Sequence, residues 1–391
     1  MTLRLFLLEP EPAPAWAPFL GARPISDLRA GVWRIRERWE RAVRGEAVGV
    51  LGDSAASFAD DGAGPAAGLH PVTSATGPGL VVRSEFVPTG HPLTLDPAAR
   101  RLEYHGVTVG WYLREGETWR APHGEGTAQE VPGLPLRGSF DLLTALERLL
   151  GDDCTELLSA GSDPLPHGCI VLGDAARVSL HEPIIEPGVV FDARNGAIIV
   201  EKGAELRHGV RVEGPCYIGR GTRIVGGDIR GSVFGPRCVV RGEISVSCFT
   251  GYANKAHEGF VGHTVLGQWV NLGAGTTTSN LKNTYGSVRI RVGGTELETG
   301  RQFLGSLIGD HAKTAIGTML PTGTVVGAGA SVFGPGLTKY VRPFAWGADG
   351  KALVDEEGFI RIAERVMPRR DVQVTPEVRA ALKAIYARLA Q

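Results

Sequence analysis

The segment NKAHEGFVGHTVLGQWVNLGAGTTTSNLKN, residues 254–283, holds the densest set of side chains able to do chemistry. It carries Lys255, His257, His263 and Lys282, with the amides of Asn271 and Asn280, inside a stretch otherwise rich in glycine and valine. An imidazole, whose ordinary pKa lies near ~6.5, is suited to take a proton from a reacting group close to neutral pH. The glycines of NLGAGT (271–276) let backbone N–H groups approach a developing negative charge. Proton abstraction during a group transfer is the chemistry such a set of residues can carry.

Bulk composition narrows the classes to which that chemistry can belong. The chain has 391 residues, enough for two domains at roughly 100–200 residues each. Its net charge of −1, from 41 basic and 42 acidic residues, gives no electrostatic reason to expect nucleic acid or an anionic membrane as partner. No stretch approaches the roughly 20 apolar residues of a membrane span. The opening MTLRLFLLEPEP reads as a first strand rather than a signal peptide, because acidic residues follow its short apolar run at once. Five cysteines without C-x-x-C spacing point to a reducing compartment, with neither a disulfide framework nor a zinc site. A cytoplasmic location is the expectation.

Two grammars divide the chain. Residues 1–155 read as a mixed α/β domain. LRLFLL (3–8) is strand-like, and Leu28, Val32, Ile35, Trp39 and Val43 form one stripe of a helix over 26–43, capped by Ser26 or Asp27. SFDLLTALERLLGDD (139–153) reads as a second helix, with Ser139 as cap and Gly151 as stop. Over 165–345 the period becomes six. Val200, Leu206, Val212, Ile218 and Ile224 fall six apart, and Gly203, Gly209, Gly221 and Gly227 keep a phase of their own. The pattern resumes at Phe260, Leu266 and Leu272, then at Thr314, Leu320, Val326 and Val332. A fixed short period signals a solenoid. Period six suits a triangular parallel β-helix, with the aliphatic residue inside and glycine at the corners. The period fails at an insertion, 283–303. There Val288, Ile290 and Val292 lead into Gly293-Gly294 as in a β-hairpin, expected to wall a groove or meet another subunit. A C-terminal helical segment, 355–391, closes the chain; Thr375 and Pro376 start a helix striped by Val378, Leu382, Ile385 and Leu389.

These hexapeptide repeats resemble the left-handed parallel β-helix family, most of whose characterised members are trimeric acyltransferases with the active site between neighbouring helices. Residues 254–283 resemble more closely the acetyltransferase site of the bifunctional N-acetylglucosamine-1-phosphate uridyltransferase/glucosamine-1-phosphate acetyltransferase family. In that family a catalytic histidine lies fourteen residues before the asparagine opening N-x-G-A-G-T, and a second asparagine follows nine residues later. His257, Asn271 and Asn280 keep that spacing. The resemblance implies acetyl transfer from acetyl-CoA to an amino sugar or sugar phosphate. His257 would be the base, and Asn271 and Asn280 would orient the substrate. Gly309, Ala315 and Gly327 would lie along the acetyl-CoA. Phe260 and Leu281 stand where the family has tyrosines, and Ser245 where it has the lysine that grips the sugar 1-phosphate. Arg241, Lys255 and Lys282 are then the candidates for binding substrate.

The first domain lacks the G-x-G-x-R loop of sugar-phosphate nucleotidyltransferases. It resembles instead a shortened nucleotidyltransferase-like domain found in relatives of the bifunctional enzyme, through Arg23-Pro24, Arg29, Gly31, Ile35, Arg36, Glu37 and Trp39. That resemblance implies Arg23, Arg29 and Arg36 as phosphate donors, UTP or another NTP as a further substrate, and Mg²⁺ with Asp53 as a metal carboxylate. Together these imply a homotrimeric transferase in UDP-N-acetyl-sugar synthesis. The alternative is a catalytically reduced scaffold that binds sugar nucleotide for regulation or assembly.

Overall fold

The structure is a computed structural model that describes residues 2–55, 69–90 and 92–390. The N-terminal strands are β1 (Leu3–Leu8), β2 (Gly45–Leu51), β3 (Pro71–Val72), β4 (Gly79–Arg83), β5 (Arg101–Tyr104), β6 (Val107–Leu113) and β7 (Ala128–Glu130). Among the described residues they form one mixed sheet in the order β7-β5-β6-β4-β1-β2-β3. The apolar run LRLFLL becomes β1 because both its neighbours, β2 and β4, pair with it in parallel and bury it on both sides. Two helices accompany the sheet, α1 (Ile35–Val43) and α2 (Asp141–Leu157).

Both helices depart from their sequence reading. Over 26–43 only α1 is helical. Before it come a 3₁₀ turn, Ile25–Asp27, and a short hairpin in which Arg29–Ala30 pairs with Trp33–Arg34. Gly31 explains the break. Its φ is +74°, and a Cβ there would lie 2.2 Å from the Asp153 carboxylate. That carboxylate, from α2, accepts from the Val32 N–H at 2.8 Å and pairs with Arg38. α1 starts at Ile35, where the Glu37 carboxylate accepts from the Arg34 N–H at 2.7 Å. α2 runs through Gly151 instead of stopping there, and so buries Asp153 and Cys154 in the core.

From Ile170 onward, short strands stack in parallel sheets, as in a left-handed β-helix. The first sheet runs from Ile170–Leu172 to Val261–Gly262, the second from Val178–Leu180 to Tyr340–Val341, and the third from Ile184–Ile185 to Ala345–Trp346, with Ala352–Leu353 added antiparallel at its end. Val200, Leu206 and Val212 lie on the second, third and first sheets in turn, and all three are fully buried. A step of six is therefore one side of the triangle. Gly203 and Gly209, at φ +69° and +78°, turn corners that side chains with a Cβ rarely take. The phase slips repeatedly after Ile224: Ile229, Phe234, Ile244 and Phe249 fill the interior off the step of six, and Val261, not Phe260, does so after the corner at 256–260.

Three packing events decide which parts of the solenoid stay open. The outer face of the second sheet is itself apolar, and Ile199, Val233, Val265 and Leu307 join one buried cluster with α2. The insertion carries a hairpin of Arg289–Val292 and Thr295–Glu298, whose Val288, Ile290 and Val292 enter the same cluster. Arg137 donates to the Thr299 carbonyl at 3.0 Å, and Arg301 reaches Thr144 and Glu147 of α2 at 2.7 and 2.8 Å. The hairpin thereby braces the chain's own domains together. At the corner between the second and third sheets, Tyr252, Trp269 and His311 stack as a ladder, with centroids 4.4 and 6.2 Å apart. Helices α3 (Glu356–Val366) and α4 (Pro376–Leu389) belong to the apolar cluster that covers this ladder. Among the described residues nothing covers the corner between the third and first sheets, where Ile316 is 79% and Met319 78% exposed. No helix among the described residues is long and apolar enough to cross a membrane.

Arg23 of the first domain meets Asp310 of the β-helix at 2.7 Å in a buried ion pair. Arg23→Gln strands the Asp310 carboxylate and is expected to cost about 3–5 kcal/mol of stability by denaturant unfolding. An Arg23→Met/Asp310→Leu pair should recover most of that loss. A single variant as stable as the parent would contradict the joint.

Candidate functional site

His257 sits on the bare corner, directly after the third-sheet strand Asn254–Lys255, with its side chain exposed. Lys255 holds that corner from beneath. It occupies the inward column that Leu206, Ile224 and Val240 fill in earlier coils, and it is fully buried. Its ammonium donates to the carbonyls of His257, Glu258 and Arg241, the last two at 3.1 and 3.3 Å. Burial pushes its pKa down to about 8, against the pull of Glu258. Lys255 therefore fixes the main chain under His257, and its charge faces the interior. The next coil lies on the same corner, where the Gly275 N–H donates to the Glu258 carbonyl at 3.1 Å.

Asn271 stands on the outer face of the third sheet. It stacks on Asn254 below and Lys313 above in one parallel register, and it accepts from the Asn254 amide at 2.8 Å. Gly273 and Ala315 continue the outer face toward the corner, so small residues separate Asn271 from the ridge that bears His257. Asn280 is elsewhere. It follows Thr277–Thr278, and its amide meets His263 Nδ1 at 2.9 Å. The His263 ring stacks on Phe303 and faces Glu147 of α2 at 3.9 Å. The family-like spacing of the trio therefore leaves His257 and Asn271 on adjacent coils, while Asn280 turns to His263 beneath the domain brace.

The remaining candidates are dispersed. Arg241 pairs with Glu258 at 2.6 Å, and Lys282 donates to the Ser287 carbonyl at 2.9 Å. Gly309 and Gly327 are buried at the covered corner, where the Gly309 N–H pairs with the Val326 carbonyl at 2.8 Å. Only Ala315, of the three expected along acetyl-CoA, lies on the His257 side. In the first domain Arg23 is spent on Asp310. Arg36 meets Asp27 at 2.7 Å, and Arg29 donates to the Val32 and Thr250 carbonyls at 2.6 and 3.4 Å. None of the three offers an open fork to a phosphate. Asp53 pairs with Arg388 of α4, and no group of three or more His, Cys, Asp or Glu among the described residues could hold a metal.

Sequence reasoning missed a cavity of about 400 Å³ beside Asn271, between the third sheet and the C-terminal segment. Lys313, Arg369 and Arg370 line it. The period of six places Lys313 in register with Asn271, so that residue was within reach of the repeat pattern; the arginines come from a distant turn.

No known family profile matches the chain. It is 36% identical over 77 residues to a bifunctional sugar-1-phosphate nucleotidylyltransferase/acetyltransferase of Sulfurisphaera tokodaii, covering 20% of this chain and 19% of that protein. It is 34% identical over 76 residues to the bifunctional protein GlmU of Methanococcus vannielii, covering 19% and 18%. Over those stretches the chain resembles bifunctional nucleotidyltransferase/acetyltransferases. The match spans about a fifth of the length of these curated relatives.

Burial holds His263 down to about 4, while Glu147 pulls the other way. The folded protein keeps this ring neutral, whereas the unfolded chain takes up a proton below ~6.5. The stabilisation is complete above that pH and is lost as pH falls toward 4. Melting temperature followed from pH 7 to 4 should drop less for His263→Asn than for the parent; parallel curves would rule the linkage out.

Proposed function

We propose that this protein is an acetyl-CoA-dependent transferase acting on an amino sugar or sugar phosphate, with His257 as the general base. The observation that carries the reading is an exposed histidine, pinned from below by Lys255, on the corner that the chain's own domains leave bare. In the reaction His257 removes a proton from the acceptor ammonium. The freed amine attacks the thioester carbonyl, a C–N bond forms and the C–S bond breaks. CoA leaves as the thiolate and takes up a proton. Asn271, on the outer face beside the corner, is suited to hydrogen-bond the sugar, and the glycines of residues 273–275 leave backbone close to the reacting carbonyl. Ile316, exposed on the same ridge, suits the apolar arm of the donor. Further copies of the chain, as a homotrimer, would close the bare corner into a cleft.

A second reading concerns the first domain alone, as a bracing and binding module without nucleotidyl transfer. The internal pairing of Arg23, Arg29, Arg36 and Asp53 favours it. Pyrophosphate release from UTP, Mg²⁺ and N-acetylglucosamine 1-phosphate would overturn this second reading and support a sugar-1-phosphate nucleotidyltransferase.

His257→Ala should lower CoA release, assayed with acetyl-CoA and a panel of amino sugar phosphates, by about 10²–10⁴-fold. Its melting temperature should stay at the parent's, since the ring is exposed. Equal CoA release by both proteins would remove His257 from the mechanism.

A further inference from the structure

We propose that the cavity between the third sheet and the C-terminal segment binds the phosphate group of a small phosphorylated ligand. Its volume, about 400 Å³, lies in the range of roughly 300–1,000 Å³ found for small-molecule pockets. Among the described residues three cationic side chains line it, Lys313 from the β-helix and Arg369 and Arg370 from the turn after α3, and no Asp or Glu does. Asn254 and Asn271 supply its amides. Asp371, the carboxylate next in sequence, is turned away onto Arg237 at 2.8 Å.

The donors are underused. The Lys313 ammonium, with three protons to give, donates to the His311 carbonyl at 2.9 Å, and burial holds its pKa down to about 8. Arg370 gives one nitrogen to Asn254 at 3.1 Å and one to the Arg369 carbonyl at 3.2 Å, while its Nε is buried without a partner. Burial also lowers the Arg370 pKa, and the neighbouring Arg369 charge adds to the effect. Burying like charges together is costly unless an anion joins them, and a guanidinium fork matches phosphate geometry. Phosphate is the anion class that uses these donors at once.

The pocket shares Asn254 and Asn271 with the open face that leads to His257. His257 is three residues beyond Asn254, at most about 11 Å along an extended chain. Assigning the phosphate to the acceptor sugar rests on the transferase reading; the anion site itself does not. In this chain Lys313, Arg369 and Arg370 would then do what was expected of Arg241, Lys255 and Lys282.

Calorimetric titration of the intact protein with inorganic phosphate, glucosamine 1-phosphate and glucosamine tests the site. Both phosphate probes should bind, and glucosamine at least ten-fold more weakly than its phosphate. Arg369→Gln and Lys313→Gln should each weaken both phosphate probes ten-fold or more, while His257→Ala leaves the affinity for inorganic phosphate unchanged. Arg369 is exposed, so its variant keeps the fold, which its melting temperature verifies. Absence of phosphate binding, or affinity untouched by both pocket variants, would overturn the site. Phosphate binding lost in the pocket variants, with CoA release undiminished in His257→Ala, would keep the pocket and discard the transferase reading. The converse result would discard the pocket alone.

Discussion

Parallel, in-register stacking of short coils is the constraint on which this structure depends. Each residue must lie over its counterpart one coil earlier, because the hydrogen bonds between strands allow no other alignment. Like residues are thereby gathered into columns: aliphatic side chains inside, aromatic rings at one corner, amides and a lysine on the third outer face. The exception marks the candidate site. Lys255 enters an aliphatic column, where a buried ammonium would be costly, and is tolerated because main-chain carbonyls surround it. What that arrangement gains is a fixed backbone under an exposed histidine.

The same stacking makes three outer faces, and the remainder of the chain covers them unequally. The first domain and the inserted hairpin take the second face; the C-terminal helices take the aromatic corner and part of the third. Buried charge pairs such as Arg23–Asp310 lock the pieces in one relation. Covering is thus also selection, since the corner left over is the one that bears His257. The cavity beside Asn271 exists because the turn after α3 reaches back to the third face and carries its arginines there.

Much of this was legible in the sequence where a repeat enforced it. The run Val200, Leu206, Val212, one residue on each side of the triangle, could be read directly, because one buried residue in six has few other uses. The helix over 26–43 misled for a physical reason: its stripe is real, but Gly31 bends the chain around a carboxylate from Asp153, far away in sequence. Asn280 kept a family spacing while its amide was taken by His263, a partner that only the third dimension supplies. The charges of Lys255 and Arg23 looked available in one dimension and are consumed in three. Arg369 and Arg370 carried no signal at all, since nothing local ties them to a coil a hundred residues earlier.

The central claim is that acetyl transfer takes place at the bare corner. A crystal structure of the intact protein with CoA and an amino sugar phosphate tests it most directly. The account expects the sugar nitrogen within about 3.2 Å of the His257 ring, or one water away. It also expects Asn271 on the sugar and the pantetheine arm along the ridge of Ala315 and Ile316. Ligands bound with His257 facing solvent, away from both, would contradict it.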